Sequence, residues 1–190
     1  MLFNEMCIQP DGRFECLSAF SAFLHIYLHN LYEFNIKSTS RRGVDMDVVH
    51  TTFELKTAGE GSMIDLTEKT EEVLATLNAL EGTMLVSVRS TTSAIIICEN
   101  EEGLLKDILT TLENIAPATR QYEHNRRWND DNGRSHVKAS MLGQSILLPV
   151  HGGNLVLGQW QSVFLVECDV RPRIRTVDFT FTGTKKGEAR

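Results

Sequence analysis

The chain has 190 residues, 42% of them hydrophobic and 23% charged, which suits one ordinary domain with a packed core. Its formal net charge of −6 argues against a nucleic-acid binder, which normally carries a basic surplus or stripe. No run approaches the roughly 18 apolar residues of a membrane span, so neither nucleic acid nor membrane is an expected partner.

Residues 1–45 read as an N-terminal extension. Phe20, Phe23, Leu24, Tyr27, Leu28 and Leu31 recur at helical spacing, which predicts an amphipathic helix, and the polar stretch 37–43 reads as a linker. A second reading stays open, in which translation starts at Met46 and the preceding codons are an over-extended frame. His25, His29 and Asn30 interrupt the apolar run, and neither a basic flank nor a small-residue cleavage site accompanies it. No secretory signal is therefore expected.

From Met46 the punctuation is clear. Alternation predicts a strand over 48–55. Asp65-Leu66-Thr67-Glu68 resembles a capping box, with the Asp65 side chain accepting first-turn amides. Val73, Leu74, Leu77 and Leu80 give that helix a buried stripe ending before Gly82. Strands follow over 84–88 and 94–98. A second helix spans 103–115, with Leu104, Leu105, Ile108, Leu112 and Ile115 as its apolar face, and Pro117 stops it. The remainder reads as short strands over 137–142, 145–150, 155–157, 162–168 and 174–181. Gly152-Gly153-Asn154 forms a hairpin turn, and 184–190 is a polar tail. Many short strands with two helices predict an α+β fold, a compact β-sandwich-like single domain with two flanking helices.

Cys7, Cys16, Cys98 and Cys168 lie far apart and form no C-x-x-C pair. Neither a zinc site nor a disulfide framework is expected, and a reducing, cytoplasmic setting is. The common nucleotide-binding and hydrolase motifs are absent.

Polar residues concentrate over 122–138. Asn132-Gly133 favours a turn that brings His124 near His136. Two imidazoles suit a divalent metal, Mg or Zn, with Glu99, Asp130 or Asp131 adding a carboxylate. Alternatively one imidazole is a general base while Lys138 steadies a phosphate. The plainest alternative is two loop histidines bonded to backbone. The Ser90-Thr91-Thr92-Ser93 turn offers hydroxyls and amides to an anion, or is structural only. Trp160 and Gln161 either pack a sheet end or line a pocket, the indole stacking on a ring.

Tyr-Glu-His (122–124), Ser-His-Val-Lys-Ala-Ser-Met-Leu-Gly (135–143), Leu-Pro-Val-His (148–151), Leu-Gly-Gln-Trp-Gln (157–161) and Glu-Cys-Asp with Arg-Pro-Arg (167–173) occur in order. Together they resemble the YjbQ family, whose members are often labelled secondary thiamine-phosphate synthase. The resemblance covers 46–183. It implies a β-sandwich-like fold with flanking helices and a homotrimer with sites near subunit boundaries. It also implies a weak or secondary ability to join a pyrimidine pyrophosphate to a thiazole phosphate. His124 and His136 match family histidines, whereas Ser90 stands where a third is often found. Three roles follow as expectations. The first is a transferase in which His124 or His136 manages a proton, Glu99 orients a metal or an imidazole, and Mg²⁺, Lys138 or the amides of the 90–93 turn take the pyrophosphate. The second is a metal-dependent hydrolase or lyase. The third is a non-catalytic trimeric module that binds a phosphorylated small molecule or a protein partner. Across these roles Ser90, Thr91, Thr92, Asn132, Trp160 and Gln161 are the substrate-binding candidates.

Overall fold

The computed structural model describes residues 46–187. The helix and linker expected within 1–45, together with Cys7 and Cys16, lie outside the described residues. Among the described residues there are eight strands: β1 (Asp47–Thr57), β2 (Met63–Asp65), β3 (Ala79–Val88), β4 (Ser93–Cys98), β5 (Ser145–His151), β6 (Asn154–Leu155), β7 (Ser162–Glu167) and β8 (Arg173–Lys185). Four helices join them among the described residues: α1 (Thr67–Thr76), α2 (Glu102–Ile115), α3 (Glu123–Trp128) and α4 (Gly133–Leu142).

The strands form a five-stranded sheet, β1-β8-β3-β5-β6, and a three-stranded sheet, β2-β7-β4. The described pairings are all antiparallel. The main core lies between the sheets and α1. Met84 and Val86 of β3, Leu148 of β5, and Val177, Phe179 and Phe181 of β8 meet Ile95 of β4, Val163 and Leu165 of β7, and Leu66 and Leu74. Each such side chain contributes roughly 1.5–3 kcal/mol when fully buried. A second cluster on the far side of β4 and β7 joins Ala94, Val166 and Cys168 to Leu112 and Ile108 of α2 and Ala139 and Leu142 of α4. Strand β7 is therefore covered on both faces, which is why 163–168 is an unbroken buried run.

The α+β fold agrees with the sequence expectation, but two assignments change. The segment 137–142 is not a strand; it is the second half of α4. Ser135, Lys138, Ala139 and Leu142 fall at helical spacing on its packed face, and two of those four are polar, which hides the period from a hydrophobicity pattern. With α3 this raises the helices from two to four. Helix α1 also ends earlier than expected. Asn78 adopts a left-handed φ of 52°, which Asn tolerates, so Leu80 belongs to β3. At the start of α1 Asp65 accepts the Thr67 amide at 2.8 Å, as expected, but the N-cap is Leu66 and the reciprocal half of a capping box is not formed. The Gly152-Gly153 turn closes β5 on β6, pairing His151 with Asn154. Its two positive φ angles, 60° and 85°, are what such a two-residue hairpin needs.

Candidate functional site

An open cleft of about 500 Å³ lies at one end of the two sheets, where β3 and β7 finish and β4 and β8 begin. It is lined by Arg89 and the 90–92 turn, by Asp169 with Arg173 and Arg175 of β8, and by Asn132 and His136 at the start of α4. Topology makes this convergence. Strand β8 pairs with β3 so that Val177 faces Val88, and the Arg89 amide bonds to the Thr176 carbonyl at 3.1 Å.

Each arginine is gripped from behind by a carboxylate. Arg175 donates through Nε (2.6 Å) and Nη2 (2.7 Å) to the two oxygens of Glu167. Arg173 donates through Nε to Asp169 at 3.0 Å, with Nη2 also 3.0 Å away. Arg89 does the same with Asp178, at 2.8 and 2.7 Å. Glu167 and Asp169 are buried, as is Thr92, whose hydroxyl donates to Asp169 at 3.0 Å and accepts from Arg175 at 2.8 Å. Burial pushes the Asp169 carboxyl up, yet the Arg171 amide, the Arg173 guanidinium and the Thr92 hydroxyl outweigh it and hold it below the ordinary aspartate value. In all three arginines Nε and Nη2 are engaged. Among the described residues the Nη1 groups have no hydrogen-bond partner. The cleft is thus built of rigidly held donors with edges to spare, an arrangement suited to phosphate oxygens.

The two expected histidines come together. Their ring centroids are 4.5 Å apart with the planes tilted by 51°. His136 lines the cleft, and His124 packs against it with Nε2 3.4 Å from Asp130. Hydrogen bonding orients the Asn132 amide with its nitrogen 3.1 Å from Asp130 and 3.2 Å from His124 Nε2.

The hydroxyl turn folds on itself. Ser90 Oγ accepts the Thr92 amide and the Ser93 hydroxyl, each at 3.0 Å. Ser90 and Thr91 line the cleft with Thr92.

Other expected residues stand elsewhere. Lys138 does not line this cleft. Its ammonium, 5% exposed, lies 2.7 Å from Glu60 and 2.8 Å from Glu113, so it is not placed to steady a phosphate here. Burial pulls its pKa down, and bonds to Glu113 and Glu60 more than reverse that. Glu99 follows Cys98 at the far end of β4. Trp160 and Gln161 precede β7 at the same far end, since Cys98 pairs with Ser162 while Ser93 pairs with Glu167. A six-residue strand spans roughly 20 Å, so within one chain Glu99, Trp160 and Gln161 do not share the cleft with His136. Trp160 is 65% exposed rather than packed on the sheet end. The Gln161 carboxamide accepts the Gly158 amide at 2.7 Å.

A divalent metal held by His124 and His136 would need more ligands than these elements bring. Among the described residues no group of three His, Cys, Asp or Glu side chains is arranged to hold one. Ser90 is a hydroxyl held within its own turn. The residues present do not by themselves make a metal site.

The arginines and their carboxylates were missed by sequence reasoning. For Glu167, Asp169 and Arg173 the signal was in the Glu-Cys-Asp and Arg-Pro-Arg strings, next to an apolar run; Arg89, Arg175 and Asp178 lie outside those strings.

Known proteins resemble this chain over the same span. A family model described as UPF0047 protein YjbQ-like matches residues 51–184. A UPF0047 protein of Archaeoglobus fulgidus is 41% identical over 123 residues, covering 65% of this chain and 93% of that protein. One from Methanothermobacter thermautotrophicus is 39% identical over 141 residues, covering 74% and 96%. The crystal structure of a YbjQ-like protein of unknown function from Sulfolobus solfataricus P2 superimposes with a TM-score of 0.69 at 31% identity, over 74% of this chain and 100% of that one.

Proposed function

This chain belongs to the YjbQ-like UPF0047 family, and from that premise we propose that its cleft is the site of a small-molecule enzyme acting on a phosphorylated substrate, with thiamine-phosphate formation as a weak or secondary activity. The observation that carries the proposal is the set of three carboxylate-anchored arginines lining one cleft with His136. Its volume of about 500 Å³ falls in the range of small-molecule sites.

In that reaction the thiazole nitrogen uses its lone pair to form a C–N bond to the pyrimidine's methylene carbon, and the C–O bond to pyrophosphate breaks. Negative charge grows on the departing pyrophosphate. The Nη1 edges of Arg89, Arg173 and Arg175 and the Ser90 hydroxyl are donors fixed before reaction, which is what stabilises such charge most effectively. His136 delivers a proton to the leaving oxygen, and His124 with Asp130 orients it. The purified chain given both substrates is expected to release thiamine phosphate and pyrophosphate, and His136→Ala to slow this by roughly 10²-fold. Wild-type rates in a His124→Ala, His136→Ala double variant refute the assignment; no product from the wild type refutes the reaction.

Ser90 at the third-histidine position favours a second reading, a module that binds the phosphorylated ligand without turning it over. It predicts a ligand-dependent rise in Tm with no product. A metal-dependent hydrolase or lyase would draw support from stoichiometric zinc, manganese or iron in protein purified without added metal. The resemblance further implies a homotrimer, which sedimentation equilibrium tests. A cytoplasmic setting accords with Cys98 and Cys168 being free thiols.

A further inference from the structure

Arg134 and Lys138 stand one turn apart on α4, and both close on one carboxylate. Arg134 donates through Nε and Nη2 to Glu60 at 3.1 and 3.0 Å, and Lys138 donates to Glu60 at 2.7 Å. His136 lies between them in sequence and about 200° around the helix from Arg134, so the side that carries the charges is opposite the side that meets the cleft. Glu60 belongs to the short connection between β1 and β2. That connection is also tied to β7. The Gly61 amide bonds to the Glu167 carbonyl at 3.0 Å, and the Glu167 amide to the Ser62 carbonyl at 2.8 Å. Glu167 is in turn the carboxylate that grips Arg175. One turn therefore touches the element behind each wall of the cleft.

We propose that Glu60 is a positioning residue: by holding Arg134 and Lys138 it fixes the rotation and height of α4, and so sets His136 and Asn132 in the cleft with the arginines. The inference rests on the reading of the cleft as a phosphate site. A buried ion pair adds little net stability over a well-packed apolar pair, and its best-attested use is to fix register. The Lys138 and Arg134 side chains are 5% and 12% exposed and that of Glu60 is 29% exposed, so the two cations are buried and the carboxylate that joins them sits at the rim. An apolar contact tolerates sliding; a carboxylate shared between a guanidinium and an ammonium does not.

The test uses the full chain and inorganic pyrophosphate, with affinity from calorimetry and a nuclear Overhauser contact between the His124 and His136 rings as the positional readout. Glu60→Gln is expected to bind pyrophosphate about three- to tenfold more weakly and to lose part of the ring contact. Glu60→Gln with Lys138→Met removes the ammonium left half-compensated, which protects folding, and is expected to show the same loss. In a His136→Ala, Asn132→Ala background Glu60→Gln is expected to add nothing, because the route through α4 is then cut. Wild-type affinity and an unchanged ring contact in both Glu60 variants overturn the proposal, as does an equal loss in the His136→Ala, Asn132→Ala background. Failure of the wild type to bind pyrophosphate overturns the phosphate reading alone, and the ring contact then decides the role of Glu60 separately.

Discussion

Replacing Glu167 with glutamine is the sharpest test of how the cleft is held. The carboxylate is 1% exposed and both of its oxygens are occupied. Oε1 takes Arg175 Nη2 at 2.7 Å and the Asp169 amide at 2.8 Å. Oε2 takes Arg175 Nε at 2.6 Å and the Thr57 hydroxyl at 2.9 Å. Whichever way a glutamine amide is turned, its NH₂ meets an Arg175 N–H, donor against donor, and the buried guanidinium loses its nearer counter-charge, leaving only Asp169 at 3.7 Å. Breaking one side of a buried pair costs about 3–5 kcal/mol. For a domain of this size that is a fall in Tm of roughly 6–20 °C, measured by calorimetry at neutral pH. Glu167→Gln combined with Arg175→Met removes the stranded charge and is expected to recover part of the loss. A Glu167→Gln protein melting within about 2 °C of the wild type would refute the reasoning.

Three more outcomes are expected. Asp169 has a folded pKa below its unfolded value of about 3.9, so its stabilisation is present above that value and is lost as pH falls through the folded pKa. Urea midpoints should therefore drop below about pH 4, and less so in Asp169→Asn; an identical acid limb in both removes Asp169 from the account. Burial, then the Glu167 charge, pushes the Cys168 thiol up to about 12, so peptide mapping after alkylation at pH 8 should find it unmodified in native protein and modified in urea. Gly82, at φ 149° and paired with Gly183, leaves no room for a Cβ against the Thr182 carbonyl. Gly82→Ala should thus destabilise by about 1–3 kcal/mol, and a neutral effect would show that β3 and β8 can separate there.

Much of the fold was legible because hydrophobic period and turn chemistry agreed. Helix α2 carries Leu104, Ile108 and Leu112 on one side, and the double-glycine hairpin announces itself. Helix α4 was not legible: its packed face holds Ser135 and Lys138, whose burial depends on Glu60 and Glu113, distant in the chain. His124 and His136 were expected to meet and do, but not through a turn at Asn132-Gly133: those residues open α4, and the chain reverses at Asn129 and Asp131, with φ of 53° and 56°. Arg173 and Arg175 reach Ser90 only through the β3–β8 pairing, a contact over some eighty positions that no short-range pattern encodes. The displacement of Glu99, Trp160 and Gln161 has the same origin. They neighbour apolar runs as the site residues do, but which end of a strand they occupy depends on its direction in the sheet.

The anchored arginines have a kinetic consequence. Arg89, Arg173 and Arg175 are matched one for one by Asp178, Asp169 and Glu167, on a chain of net charge −6. An approaching anion meets no long-range pull and a net repulsion, so its capture rate should not fall as ionic strength rises, unlike that of a steered encounter. Discrimination then falls to the departure step, where the number of oxygens that engage the waiting guanidinium edges sets the residence time.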